Sequence, residues 1–159
     1  DLHVRSRRQR QMCIRDRGEA MLAARVLGAE GVQIGTRFAL TAESSANEVF
    51  KDYCLHLEEG DTRLLLKKLA PVRLVRNNFR SAVEAAEAVG ASEEELRILL
   101  GRGRAKRGIF EGDLEEGELE IGQVSVLLHG KGVQSVASVM QELVEESRRA
   151  WERMQELDF

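Results

Sequence analysis

Apolar residues recur at helical spacing near the start of the chain, where Ala20, Met21, Ala24 and Leu27 share one face over residues 18–27. Gly28 supplies the stop. The short run Gly31-Val32-Gln33-Ile34 predicts a strand, and Gly35-Thr36-Arg37-Phe38 a turn at its end. Ser45 and Glu48 have capping-box spacing. Behind them Ala46, Val49, Phe50, Tyr53, Cys54 and Leu57 form the stripe of a second helix, ended by Gly60. Residues 64–69 and 72–75 read as extended, divided by Pro71. Two further pairs, Ser81 with Glu84 and Ser92 with Glu95, open helices that stop at Gly90 and Gly101. Residues 101–122 are charged and broken by glycines, and 123–128 suit a helix start or a strand end equally. Val136, Val139, Met140, Leu143 and Val144 mark a last amphipathic helix that continues through Trp151 and Met154.

Composition narrows the class. With 159 residues and 43% of them hydrophobic, the chain can build one core. A (β/α)8 barrel needs about 250 residues, so a single helix–strand–turn–helix unit at this length suits a piece of a barrel. A net charge of −3 is too mild for a nucleic-acid or membrane surface. No apolar run approaches the roughly 18 residues of a membrane helix, and the polar N-terminus is not a secretory signal. Cys13 and Cys54 have no metal-type spacing, which fits a reducing cytoplasm.

The first seventeen residues stand apart. They hold six arginines against two aspartates, a charge of +4, and leave −7 for the rest. Their spacing fits neither helix nor strand. The string Met12-Cys13-Ile14-Arg15-Asp16-Arg17 resembles translated sequencing-adapter read-through, so residues 1–17 are expected to be non-native and disordered. The upstream part of the protein is then missing.

The chemistry sits in the turn after the first strand. In a parallel barrel the C-terminal end of a strand is the active-site face, and phosphate sites favour the loops after strands seven and eight. Gly35 lets the backbone approach a ligand closely. The N–H groups of Gly35 and Thr36 could meet one anion, as in a nest or a helix N-terminus, with the Thr36 hydroxyl as a third donor. A Gly-Thr turn alone is equally at home after any parallel strand.

Three segments make the pattern specific: residues 31–38, the run Leu66-Lys67-Lys68-Leu69-Ala70-Pro71-Val72-Arg73-Leu74-Val75-Arg76-Asn77, and residues 101–113 followed by Gly117-Glu118-Leu119-Glu120-Ile121-Gly122-Gln123. In this order they resemble the nitronate monooxygenase (2-nitropropane dioxygenase-like) family, which includes the flavin-dependent enoyl-acyl-carrier-protein reductases II. The resemblance covers residue 18 to the C-terminus. It implies an α/β fold, the C-terminal fragment of a (β/α)8 TIM barrel (last strand and phosphate turn) plus a mostly helical C-terminal lobe. The barrel end is expected over 18–62 and the lobe over 63–159. It further implies that FMN is the cofactor, its phosphate at Gly35 and Thr36, Gln33 on the strand beneath, and Gly122 and Gln123 returning from the lobe. The substrate is then a small molecule, an alkyl nitronate oxidised with dioxygen, or an enoyl thioester reduced by NAD(P)H. A homodimer of the parent protein is left open. In this family the catalytic histidine and the paired-glycine phosphate loop lie upstream, so no catalytic residue is expected here and the isolated chain is expected to bind FMN poorly.

The remaining polar residues read as structural. His56 lies near a helix end and His129 before Gly130, both as surface groups. Cys54 lies on an apolar stripe as a buried thiol. Arg102, Arg104, Lys106 and Arg107 suit a solvated loop better than a cofactor-phosphate or acidic-carrier contact. Glu115, Glu116, Glu118 and Glu120 suit a solvated acidic turn better than a metal loop. The competing functions are a phosphate-binding barrel without flavin and a free-standing helical interaction module.

Overall fold

The computed structural model describes residues 17–156. The segment expected to be non-native lies outside them except for Arg17. Among these residues are six α-helices, α1 (Gly18–Val26), α2 (Thr36–Ala39), α3 (Glu48–Leu55), α4 (Asn78–Ala88), α5 (Glu93–Leu100) and α6 (Val136–Gln155), and one hairpin, β1 (Thr62–Leu65) with β2 (Val72–Val75). Lys106–Phe110 forms a π-helical turn and Gln123–Leu128 a 3-10 helix.

The first and last helices pack together. A Cβ at Gly18 would lie 2.3 Å from Leu143 O and Ser147 N, so glycine is what lets α1 meet the α6 backbone. The Gly18 N–H, one of the orphan donors of a helix start, donates to Glu146 Oε2 at 2.8 Å. Val139, Leu143 and Ala150 of α6 are buried, while its flanks are charged.

The expected strand at 31–34 is not formed: residues 31–35 carry no regular element. A parallel strand takes its hydrogen bonds from neighbouring strands, and none runs beside this segment among the described residues. The hairpin runs antiparallel, from Thr62 opposite Val75 to Leu65 opposite Val72. It starts two residues before the expected extended run and stops before Leu66, whose φ is 56°.

The second edge of β2 is met by residues 119–121. Val75 N–H donates to Leu119 O at 2.9 Å and Ile121 N–H to Arg73 O at 3.3 Å. One core joins Leu40, Phe50, Cys54 and Leu55 to Val75, Leu119, Ile121 and Leu128, and so spans both sides of residue 62. A second core, Leu65, Leu66, Leu74, Phe79, Val83 and Leu96, lies between the hairpin and α4–α5.

The caps differ from their expectation at two helices. Ser92 and Glu95 form the full capping box of α5. For α3 the cap is Asn47, accepting from Val49 N–H at 2.9 Å, not Ser45. For α4 it is Asn77, accepting from Arg80 N–H at 2.9 Å, not Ser81. Each asparagine also reaches a distant carbonyl: Asn47 Nδ2 donates to Phe110 O at 3.5 Å, and Asn77 Nδ2 to Leu114 O at 3.1 Å and Gly117 O at 2.8 Å. The extra bonds favour these residues as caps over the serines.

Candidate functional site

Residues 119–121, held by β2, deliver Gly122 to the start of α2. There the Gly122 N–H donates to Thr36 Oγ1 at 3.1 Å across 86 residues of sequence. A Cβ at Gly122 would stand 2.4 Å from that oxygen, so the contact requires glycine. Of the five expected site residues, Thr36 and Gly122 are thus in direct contact. Gly35 is exposed, and a Cβ there would meet nothing within 4 Å. Gln33 and Gln123 are both exposed.

The residue after Thr36 is buried. Arg37 is 2% exposed and pairs with Glu142, and its Nη1 lies 3.7 Å from Glu146 Oε2. Glu142 also accepts from Lys131 Nζ at 2.9 Å and from Gln134. Burial works against the charge on Glu142. The hydrogen bonds from Lys131 and Gln134 and the charges of Lys131 and Arg37 outweigh it and hold the carboxyl below the usual range. Sequence reasoning passed over Arg37 and this pair. The available signal was Glu142 and Glu146, four residues apart beside the apolar stripe of α6.

Ser125 was missed, and Glu118 was misread. The Ser125 hydroxyl, two residues beyond Gln123, is fully buried and has no hydrogen-bond partner among the described residues. Glu118 is 7% exposed rather than part of a solvated turn. Burial, then the charge of Glu120 and a hydrogen bond with it, push its carboxyl up to about 7 against the pull of Arg104.

The basic cluster is largely spent on internal ties. Arg104 donates to Leu100 O at 2.9 Å and Glu116 O at 2.7 Å and lies 4.6 Å from the centre of the Phe79 ring. Lys106 pairs with Glu111 and Arg107 with Asp113. His56 and His129 are exposed and meet edge to face at 6.0 Å. Burial pushes the Cys54 thiol up to about 12. Among the described residues no group of three or more His, Cys, Asp or Glu could hold a metal, and no helix is long and apolar enough to cross a membrane. An open apolar groove of about 520 Å³ lies between α1 and α6, lined by Met21, Leu22, Val26, Val144 and Trp151 among others.

Residues 14–146 match the family model for nitronate monooxygenase. The chain belongs to the nitronate monooxygenase family. Over 45 residues it is 51% identical to a probable nitronate monooxygenase of Staphylococcus haemolyticus and 47% identical to one of Staphylococcus aureus. Each match covers 28% of this chain and 13% of the relative. Its fold is similar to FabK from Thermotoga maritima, with TM-score 0.74 and 31% identity over 88% of this chain and 44% of that one. It is similar also to a nitroalkane oxidase from Streptomyces ansochromogenes, with TM-score 0.62 and 26% identity over 87% of this chain and 38% of that one. The chain therefore spans less than half the length of these solved family relatives. Members of the nitronate monooxygenase family are oxidoreductases.

Proposed function

We propose that the chain is the C-terminal part of an FMN-dependent (β/α)8-barrel oxidoreductase that oxidises alkyl nitronates with dioxygen. The Gly122–Thr36 contact carries the reading, because it seats the lobe on the turn that the family resemblance assigns to the flavin phosphate. In this reading residues 1–17 are foreign, 18–62 end the barrel and 63–159 are the lobe. The segment 31–35 gains its ladder from barrel strands upstream. Apolar side chains left exposed on α1 and α6, Val26, Val144 and Trp151, are covered by the remaining barrel.

The residues present fit the phosphate end of FMN. The open face of Gly35 admits an anion to the main chain. Thr36 Oγ1 accepts from Gly122 and keeps its own proton to donate. The buried Ser125 hydroxyl is a donor still in need of an acceptor. When bound, FMN supplies the redox chemistry; the protein binds and orients it. Gly35 and Thr36 hold the phosphate, Gln33 supports the turn, and Gly122 and Gln123 close from the lobe. The family resemblance puts the catalytic histidine upstream, and among the described residues His56 and His129 are on the surface.

The fold likeness to FabK, with the higher TM-score, favours a second reading: reduction of an enoyl thioester by NAD(P)H. Sequencing the source locus across Arg17–Gly18 and expressing the whole reading frame tests both. Bound FMN and oxygen uptake on an alkyl nitronate support the first reading, and NAD(P)H oxidation that requires an enoyl thioester supports the second. A flavin-free product of a frame that includes a barrel sinks them together.

A further inference from the structure

We propose that the ion pairing of the buried Arg37 with the half-buried Glu142 and Glu146 is the clasp that fixes the cofactor turn, which makes these two α6 carboxylates positioning residues for phosphate recognition. The role of the turn rests on the flavin reading above; the clasp itself does not.

The turn cannot hold its own shape. α2 has four residues, and a helix so short is unstable without tertiary support. The segment before it has no ladder. Support comes at two consecutive residues from two separate parts of the lobe. Thr36 is held by Gly122, at the end of the segment paired with β2. Arg37 is held by α6, 105 residues away.

A guanidinium 2% exposed has left water almost completely, and it stays in place only where carboxylates and hydrogen bonds replace that water. Both carboxylates are themselves held. Glu142 takes Lys131 and Gln134, and Glu146 takes the Gly18 N–H. Arginine suits this place because its planar fork reaches two acceptors at once, which a lysine point charge cannot do. Releasing Arg37 from the clasp leaves the adjoining Thr36 with only its contact to Gly122 among the described contacts, so its hydroxyl loses a fixed place beside Gly35. The pair therefore fixes the residue next to the donors without itself being one of them.

Amide hydrogen exchange on the 159-residue chain without flavin tests the clasp. Uptake is followed in peptides spanning 33–40, with the α5 helix as the reference for global opening. Glu142→Gln is expected to speed exchange in 33–40 about tenfold while leaving α5 unchanged, and Glu142→Asp to restore most of the protection. Arg37→Lys should resemble Glu142→Gln. Unchanged uptake in 33–40 for both Glu142→Gln and Arg37→Lys overturns the clasp, and so does equal acceleration in α5. If Glu142→Gln fails to fold, Glu146→Gln, at the longer 3.7 Å contact, gives the same comparison with a smaller effect. In the barrel-complete protein Glu142→Gln should weaken FMN binding and leave riboflavin, which lacks the phosphate, unaffected. Equal weakening of both ligands refutes the phosphate role. Because the exchange arm contains no flavin, failure of the flavin reading and failure of the clasp are distinguishable.

Discussion

Replacing Glu118 with glutamine removes a proton-binding site and keeps the shape of the side chain. Glu118 is 7% exposed, and its main-chain N–H donates to Arg104 O at 3.1 Å. Desolvation, then the neighbouring Glu120, raise its carboxyl from 4.5 to about 7. Between those values the folded protein holds a proton that the unfolded chain releases. The stabilisation is therefore fully present below the unfolded pKa and is lost as pH rises through about 7. At about 1.36 kcal/mol per unit the ceiling is roughly 3 kcal/mol. Partial solvent access at the Glu118–Glu120 pair reduces the expectation to about 1–2 kcal/mol. Glu118→Gln should accordingly exceed the wild type only slightly near pH 5, just above the unfolded pKa, and by that amount at pH 8. Urea unfolding followed by far-ultraviolet circular dichroism at both pH values gives the comparison, with equal slopes as the check that only stability changed. The difference between variants is the quantity to read, because Glu84, Glu95, Asp113 and Glu142 have lowered pKa values and pull the total pH dependence the other way. A variant that gains nothing between pH 5 and pH 8, or gains more at pH 5, refutes the reasoning.

Gly122→Ala puts a methyl group 2.4 Å from Thr36 Oγ1 and should cost about 1–3 kcal/mol; urea unfolding measures it, and no loss means the lobe does not seat as described. Ser92→Ala removes the α5 capping box and should cost about 1 kcal/mol, read the same way; a neutral result says the cap adds nothing in this context. Cys54, fully buried with its thiol pushed up to about 12, should resist a thiol reagent at pH 8 until denaturant is added, and rapid native labelling contradicts its place in the core.

Local patterns were legible where local physics decides. Ser92 and Glu95 satisfy each other within one turn, so their spacing was sufficient. Ser45 with Glu48 and Ser81 with Glu84 have the same spacing and do not cap. Asn47 and Asn77 take those positions because they also bond Phe110, Leu114 and Gly117, between 37 and 63 residues away. No window of a few residues contains that information. Glu118 escaped for the same reason. A run of glutamates and glycines reads as solvated until β2 is found to pair with the chain beside it, which draws Leu119 and Ile121 into the core and Glu118 with them.

The candidate site shows the same division one level higher. Family resemblance brought Gly35, Thr36, Gly122 and Gln123 into one neighbourhood without stating what joins them. The hydrogen bond from Gly122 to Thr36 joins two of these residues, and a Cβ at position 122 would have no space beside Thr36 Oγ1. Arg37 was legible only as the residue after a turn. Its burial depends on two carboxylates more than a hundred positions downstream, and those in turn depend on α1 lying against α6 at Gly18. An arginine in a turn is ordinarily solvated. An arginine that closes contact among α1, α2 and α6 is a structural commitment, and its position next to Thr36 ties the stability of the lobe to the geometry of the turn.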